Sequence, residues 1–209
     1  MIYEYHVLTI GWFTRNIFWG ESESQAYRDT LCTSAFIKGG VNIVTDPSLP
    51  PEQMEAALYN RSGLRPLAID AVYITHAHGD HYVGIECFPD AGWYMSEIEL
   101  EAMKNSADPV AKALAAKIKP AAAGFLPGVD LLPLPGHTPG TTAITFDSED
   151  GIVAVCGDAV MTRDFFRARR GYRNSVDFAQ AAESISLLAK SADVVVPGHD
   201  NCFLTWRNR

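Results

Sequence analysis

Residues 76–81, with the sequence H-A-H-G-D-H, place three imidazoles and a carboxylate within six positions. A run of β-branched and aromatic residues precedes them and predicts a short buried strand, so the cluster begins where a strand ends. Residues two apart in an extended segment point the same way, and His76 and His78 can therefore face one ion. Asp80 and His81, past the turn, are free to face a second ion. The cluster predicts a metal site at a strand end.

Three later motifs also end in a group that can bind a metal, and each lies at a predicted strand end. They are P-G-H-T-P-G, C-G-D-A and V-P-G-H-D, which supply His137, Asp158 and His199. A glycine before each of these residues lets the backbone approach a crowded site. Five of the six histidines of the chain fall in the combined set. The set favours one shared metal centre over scattered solvated histidines.

Length, charge, cysteine spacing and the lengths of the apolar runs limit the classes of protein to which this chain can belong. With 209 residues and 47% hydrophobic content, we expect one domain over residues 1–209. The 25 acidic and 17 basic residues disfavour a nucleic-acid partner. No C-x-x-C pair is present, and no apolar run approaches the 18 or so residues of a membrane span. We therefore expect a soluble, cytoplasmic protein without a disulfide framework, membrane anchor or export signal.

Hydrophobic periodicity and turn residues predict alternating strands and helices. We expect an opening strand over residues 2–13 and a hairpin over residues 31–46 that turns at K-G-G. A helix is predicted from Pro51 to near Gly63. The remaining predicted elements are helix starts at residues 94–97 and 108–111, a hairpin joining residues 142–146 to 152–155, a helix over residues 176–190 and a strand over residues 193–196.

The order of these motifs resembles that of the metallo-beta-lactamase superfamily over nearly the whole chain. The resemblance implies an α/β fold, a four-layer αβ/βα sandwich of two mixed sheets with outer helices. It also implies that Asp158 bridges two ions and that Asp46, in the segment T-D-P, orients a ligand imidazole from outside the ligand set. The implied ligands are His76, His78 and His137 for one ion, and Asp80, His81 and His199 for the other.

The subfamily stays unassigned, although the chain is most similar in character to glyoxalase II-like and lactonase-like small hydrolases, because it departs from the pattern of each named subfamily. The commonest dizinc beta-lactamases have Cys where this chain has Asp158. Many lactonases and thioesterases carry a second His in the third motif, where this chain has Thr141. N-acyl-homoserine lactonases use a Tyr shortly after the bridging Asp, and here Met161 lies three residues on. Tyr172 is a candidate substitute.

The ligand chemistry suits two Zn²⁺ per chain, with Fe or Mn left open because nitrogen and oxygen sites are weakly selective. Two such ions generate a metal-bound hydroxide at neutral pH. We expect Asp80 to orient the hydroxide or carry its proton to the leaving group. The predicted activity is hydrolysis of a small ester, lactone or thioester.

The only concentrated basic stretch, residues 163–173, follows a predicted ligand directly. Arg163, Arg167 and Tyr172 are candidates for binding an anionic group of a small-molecule substrate. The alternative is a solvated stretch whose arginines pair with surface carboxylates. Oligomeric state stays open, a homo-oligomer included.

Two other functions compete with the dinuclear hydrolase. One is a mononuclear iron oxygenase of the persulfide dioxygenase type, which would use His76, His137 and Asp158 alone. The other is a metal-binding protein without catalysis. The complete set of seven ligands argues against the latter, because a protein that has lost its catalytic activity is expected to have lost one or two of the metal ligands.

Overall fold

A computed structural model describes residues 1–207, and the last two residues of the predicted domain lie outside that range. The first half of the chain forms a mixed sheet in which three antiparallel strands are followed by three parallel ones. In spatial order its strands are β1 (Glu4–Thr9), β2 (Ser34–Lys38), β3 (Ile43–Thr45), β4 (Ala71–Tyr73), β5 (Gly92–Met95) and β6 (Lys119–Pro120).

The second half forms another mixed sheet with the spatial order β11, β10, β9, β8, β7. Only its β9–β10 pair is parallel. Its strands are β7 (Val129–Pro133), β8 (Thr142–Ser148), β9 (Gly151–Gly157), β10 (Val194–Pro197) and β11 (Phe203–Leu204).

Five α-helices are described, three in the first half and two in the second. They are α1 (Pro51–Ser62), α2 (Glu97–Lys104), α3 (Pro109–Ala115), α4 (Arg163–Ala168) and α5 (Phe178–Ser191). Sequence signals fix their ends: α1 starts with a proline and stops at Gly63, whose φ of 72° is left-handed. Asp177 caps α5 by accepting a hydrogen bond from the backbone N–H of Gln180.

Three buried clusters show how the layers stack. Alternate strand residues such as Ile37 and Tyr73 pack against Val155 and Val196 of the other sheet. The intervening residues, Phe36 among them, face α1, α2 and α3 on one outer side. A third cluster packs α4 and α5 on the other outer side. The predicted four-layer αβ/βα sandwich with two mixed sheets is confirmed.

Most predicted elements are present, with three differences. The strand predicted over residues 2–13 ends at Thr9, because the chain then leaves the sheet and Trp12 forms an isolated bridge with Leu31. The helix start predicted at residues 94–97 is too early, since Tyr94 and Met95 belong to β5 and Ser96 caps α2. Strands β5 and β6 were not predicted. Within residues 1–207, no helix combines the length and apolar character needed to cross a membrane.

Candidate metal centre

All the predicted ligands lie just beyond strand ends at one edge of the sandwich. His76 lies three residues beyond β4, and His137, Asp158 and His199 follow β7, β9 and β10. Strands β7, β9 and β10 run in one direction, so their carboxyl ends meet at the same edge. The other sheet is tied to this edge by a hydrogen bond from the Thr142 N–H to the Thr75 carbonyl, 3.1 Å. A 3₁₀ turn over Gly79–His81 then directs Asp80 and His81 to their places.

Four side chains form a first group, consisting of His76, His78, His137 and Asp158. Nδ1 of His78 lies 2.9 Å from Nε2 of His76 and 3.0 Å from Nε2 of His137. Oδ2 of Asp158 lies 3.3 Å from His137 Nε2 and 3.9 Å from His76 Nε2. Tetrahedral zinc with nitrogen ligands has ligand-to-ligand edges of about 3.3 Å. The spacing of the first group therefore suits one such ion.

A second group adjoins it and consists of Asp80, His81 and His199. The other oxygen of Asp158, Oδ1, lies 3.3 Å from His81 Nε2 and 3.1 Å from His199 Nε2. Oδ2 of Asp80 lies 3.7 Å from His199 Nε2. Asp158 thus presents one oxygen to each group, which is the arrangement needed of a bridging carboxylate.

Three atoms of the candidate ligands are buried without a hydrogen-bond partner, namely His81 Nε2, Asp158 Oδ1 and His137 Nδ1. Buried polar atoms are nearly always paired, and the first two lie 3.3 Å apart, where one bound cation would satisfy both. The facing atoms are imidazole nitrogens and carboxylate oxygens, which bind divalent cations such as zinc. The residues present therefore fit a two-metal site.

Asp46 contacts the second group from behind. Its Oδ2 lies 3.1 Å from Nδ1 of His81, and both of its oxygens accept hydrogen bonds from Thr75, at 2.8 Å from the N–H and 2.8 Å from the hydroxyl. Cys32 Sγ lies 3.2 Å from the same His81 nitrogen. Asp46 has a left-handed φ of 43°, an uncommon conformation that Asp tolerates better than most residues. The role of Asp46 in orienting a ligand imidazole stays a prediction, with His81 as the imidazole that it contacts.

His199 is held by backbone carbonyls. Its Nδ1 lies 2.9 Å from the carbonyl oxygens of both Trp12 and Leu31. Carbonyl oxygens only accept hydrogen bonds, so Nδ1 carries the hydrogen and is the donor. Nε2 is then left free to face the second group. The hydroxyl of Thr30, beside Leu31, lies 3.2 Å from Oδ2 of Asp80 and 3.2 Å from the carbonyl oxygen of Trp12, and it can donate its hydrogen to either. The segment between β1 and β2 therefore contacts two residues of the second group, His199 and Asp80.

Close approach of backbone to these ligands depends on glycine. A Cβ on Gly157 would overlap Thr75 Oγ1, and one on Gly198 would overlap Asp158 Oδ1. Gly157 also has a left-handed φ of 49°. Any larger residue at either position would displace the groups around Asp158.

Burial and charge act in opposite directions on these groups. Burial lowers the pKa of His137 to about 4 and lowers that of His76 well below its usual range, despite the carboxylate of Asp158. For His199, burial is outweighed by Asp158, and the pKa is raised. Burial would raise the pKa of Asp158, but the neighbouring His199, His81 and His137 hold it well below its usual range. Asp158 is therefore an ionised carboxylate between the two groups.

A cavity of about 110 Å³ adjoins His199. Aromatic side chains line it, including Phe13, whose ring centre lies 5.8 Å from that of His199, and the exposed Trp12 and Trp19. A larger groove of about 720 Å³ lies along β1 and contains none of the candidate ligands.

The three candidate substrate residues lie outside this cavity. Arg163 stacks over the ring of Phe203, 5.4 Å from its centre, and Arg167 is on an exposed part of α4. Tyr172 is buried with its ring against Phe13, and its hydroxyl lies 3.2 Å from that of Thr14. Their role in substrate binding stays a prediction.

Sequence reasoning missed the supporting residues Thr30, Cys32 and Thr75. Thr30 and Cys32 precede β2 and lie far from every ligand motif in the sequence, so no local pattern marks them. Thr75 adjoins His76, but as a β-branched residue it was counted with the strand.

Comparison with known proteins gives a consistent result. The profile of the Metallo-beta-lactamase superfamily matches residues 27–199. An N-acyl homoserine lactonase of a Bacillus species is 25% identical over 194 residues, covering 87% of this chain and 74% of the relative. An N-acyl homoserine lactonase of Bacillus cereus is 24% identical over 189 residues with the same coverage.

Solved structures share the fold. A Bacillus thuringiensis AiiA variant with N-decanoyl-L-homoserine bound at its active site superposes with a TM-score of 0.74 at 18% identity, covering 96% of this chain and 94% of that one. AidC, described as a dizinc quorum-quenching lactonase, superposes with a TM-score of 0.68 at 20% identity, covering 80% and 72%.

Proposed function

We propose that this chain, which belongs to the metallo-beta-lactamase superfamily, holds two zinc ions and hydrolyses small lactones, with N-acyl homoserine lactones as the first candidates. The curated relatives that the chain matches are N-acyl homoserine lactonases. The choice of a lactone over an open ester or a thioester follows those relatives. Zinc as the metal follows the ligand chemistry and the dizinc AidC.

One observation carries the proposal of two ions. The two oxygens of Asp158 face different sets of imidazole nitrogens, with Oδ2 toward His137 and Oδ1 toward His81 and His199. A mononuclear iron site built from His76, His137 and Asp158 would leave His81 and His199 without a metal ion to bind. Two cations account for every nitrogen that points into the centre.

When bound, two zinc ions lower the pKa of a water toward neutrality and polarise a carbonyl oxygen. The residues of the chain supply the rest of the reaction. Asp80 is 24% exposed at its side chain, so it can reach both water and substrate, whereas Asp158 is buried. Asp80 is therefore the group that accepts the proton of the attacking water. It then gives that proton to the ring oxygen as the C–O bond breaks, and the product is an open-chain hydroxy acid.

Leaving-group protonation by Asp80 is consistent with the departures from the lactonase pattern. Met161 occupies the region where N-acyl-homoserine lactonases use a Tyr, and it is buried beside Phe13 and Phe165. Tyr172 packs in the same cluster and bonds to Thr14. Neither Met161 nor Tyr172 is placed to donate a proton to the leaving group. We therefore assign that proton donation to Asp80.

The aromatic wall of the cavity beside His199 suits the apolar acyl part of such a substrate. Trp12 and Trp19 are exposed beside it and offer apolar surface with few side-chain torsions to order. The rest of the lining includes the charged residues Arg28, Asp164 and Asp200. The oligomeric state is left outside this proposal.

The test is a substrate panel with purified chain loaded with Zn²⁺. It contains N-acyl homoserine lactones of two acyl lengths, an aryl ester, a thioester and a phosphodiester. In a separate assay, chain loaded with iron is tested for oxygen uptake with glutathione persulfide. We expect the lactones to be opened with the highest kcat/KM. Preference for the thioester or aryl ester would reject the lactone assignment, and oxygen uptake by an iron-loaded chain would reject the hydrolase.

His78→Ala is the matched variant, because it removes a ligand of the first group alone. Loss of lactone hydrolysis by at least 100-fold is expected. Unchanged hydrolysis in His78→Ala would mean that a contaminant or another site carries the activity. His6→Ala is the control, since His6 lies in β1 and stacks on Phe36 away from the centre.

A further inference from the structure

Helix α2 carries a buried carboxylate that belongs to neither metal-binding group. Glu99 is 1% exposed and lies on the inner face of the helix beside Leu100 and Met103. A carboxylate removed from water has to be compensated by hydrogen bonds or charge, so its partners identify what it holds.

Three hydrogen bonds satisfy Glu99, and all three come from two loops of the first group. Oε2 accepts from the backbone N–H of Ala77 at 2.8 Å. Oε1 accepts from the hydroxyl of Thr138 at 2.7 Å and from the N–H of Gly140 at 2.8 Å. Ala77 lies between His76 and His78 in the sequence, and Thr138 follows His137. One side chain therefore joins the loops that carry all three imidazoles of that group.

The surroundings hold Glu99 close to the second of these loops. The hydroxyl of Ser96, which caps α2, donates to the carbonyl of Gly140 at 2.7 Å. A Cβ on Gly140 would lie 2.8 Å from Oε1 of Glu99, so the close contact depends on glycine there. Thr141, at the position where many lactonases have a second His, lies with its hydroxyl 2.5 Å from that of Thr138. The loop after His137 is thus braced by α2 through several contacts.

We propose that Glu99 is a positioning residue that sets the spacing between His137 and the His76–His78 pair, and with it the affinity of the first group for its metal ion. This inference rests on the proposed function, because it needs two metal ions to be bound. The three hydrogen bonds of Glu99 go to the loops of the first group, so the second group should keep its affinity when Glu99 is changed.

The chemistry of the side chain explains why an amide cannot replace it. An ionised carboxylate only accepts hydrogen bonds, and here two oxygens serve three donors. Glutamine has one acceptor oxygen and an NH₂ that donates. In either orientation its NH₂ faces at least one of the N–H groups of Ala77 and Gly140, and that group loses its acceptor.

The experiment compares Glu99→Gln with Glu97→Gln, an exposed position on the same helix. Both variants and the wild-type chain are loaded with Zn²⁺ and titrated with a chelator, and the zinc kept per chain is measured. We expect Glu99→Gln to release one ion at about 10- to 100-fold less chelator, the usual effect of losing an outer contact, while the other ion is kept as in wild type. Glu97→Gln should match wild type.

A double variant identifies which ion is affected. His78→Ala already disrupts the first group, so Glu99→Gln added to it should leave the affinity of the remaining ion unchanged. A further loss in the double variant, or an equal loss of both ions in Glu99→Gln, would mean a general effect on the fold and would overturn the inference. Unchanged affinity in Glu99→Gln would overturn it too.

If Glu99→Gln folds poorly, a milder variant tests the same inference. Thr138→Val removes one of the three hydrogen bonds and should weaken the same ion by a smaller factor, whereas wild-type affinity in Thr138→Val would contradict the inference. A wild-type chain that binds no zinc would reject the proposed function itself. Two ions in wild type together with no selective loss in the variants would reject only the role of Glu99.

Discussion

Oδ2 of Asp46 lies 3.1 Å from Nδ1 of His81, and both residues are buried. The contact places a carboxylate behind the imidazole, on the side away from Asp158, whose Oδ1 lies 3.3 Å from His81 Nε2. A carboxylate in this position accepts a hydrogen bond from the N–H at Nδ1, which leaves Nε2 free to bind a metal. We therefore expect Asp46 to favour the form of His81 that can serve as a ligand.

Asp46→Asn should weaken zinc binding at the second group by about 10- to 100-fold. Asparagine keeps the shape of Asp46, but an NH₂ directed at Nδ1 favours the His81 form that carries its proton on Nε2, the nitrogen needed for the metal. Chelator titration of the zinc-loaded variant measures the change. Asp130→Asn, at an exposed position in β7, is the control and should bind as wild type. Equal affinity in both variants would contradict the orienting role.

Thr30→Val should lower kcat by about 10-fold with zinc content unchanged, because Asp80 loses the hydroxyl that fixes its Oδ2. Steady-state kinetics with an N-acyl homoserine lactone measures the effect. Thr30→Ser keeps the hydroxyl and should retain most of the activity. If Thr30→Val and Thr30→Ser reduce kcat equally, the loss does not depend on the hydroxyl, and the contact with Asp80 does not account for it.

Trp19→Ala should raise KM for a long-chain N-acyl homoserine lactone by about 10-fold and change it little for a short-chain one. Trp19 is 65% exposed and lines the cavity beside His199, so its loss removes apolar contact with the acyl chain and little from the core. Phe178→Ala, an exposed aromatic at the start of α5, is the control. A KM change that does not depend on chain length would place the acyl chain elsewhere.

Leu58→Ala should lower the free energy of unfolding by about 2–5 kcal/mol, since Leu58 is fully buried between α1 and the first sheet. Leu67→Ala, at a residue that is 81% exposed, should change it by less than about 0.5 kcal/mol. Urea unfolding followed by circular dichroism gives both values. Similar losses for the two variants would contradict the packing described for α1.

The ligand motifs could be predicted from the sequence because each is local. A short strand, a glycine and a ligand form a pattern within a few residues, as at His137 and His199, and the structure brings those patterns to one edge. The outer helices were predictable for a similar reason, since proline, aspartate and glycine mark their ends.

The residues that brace the ligands were not predictable in this way. Thr30 meets Asp80 across 50 positions and Glu99 meets Gly140 across 41, so only the folded chain brings them together. Strands β5 and β6 were missed because they are short and become strands through pairing, β5 with β4 and β6 with β5. The segment between β1 and β2 shows the same limit. Two of its backbone carbonyls accept hydrogen bonds from His199, and because every residue has a backbone carbonyl, the sequence does not mark them.

We propose that two ions share Asp158. Anomalous diffraction at the zinc edge, from crystals of the wild-type chain loaded with Zn²⁺, would locate both ions. We expect two zinc peaks per chain, one on each side of the Asp158 carboxylate, the first beside His76, His78 and His137 and the second beside His81 and His199. A single peak within the first group, with the second group empty, would contradict it.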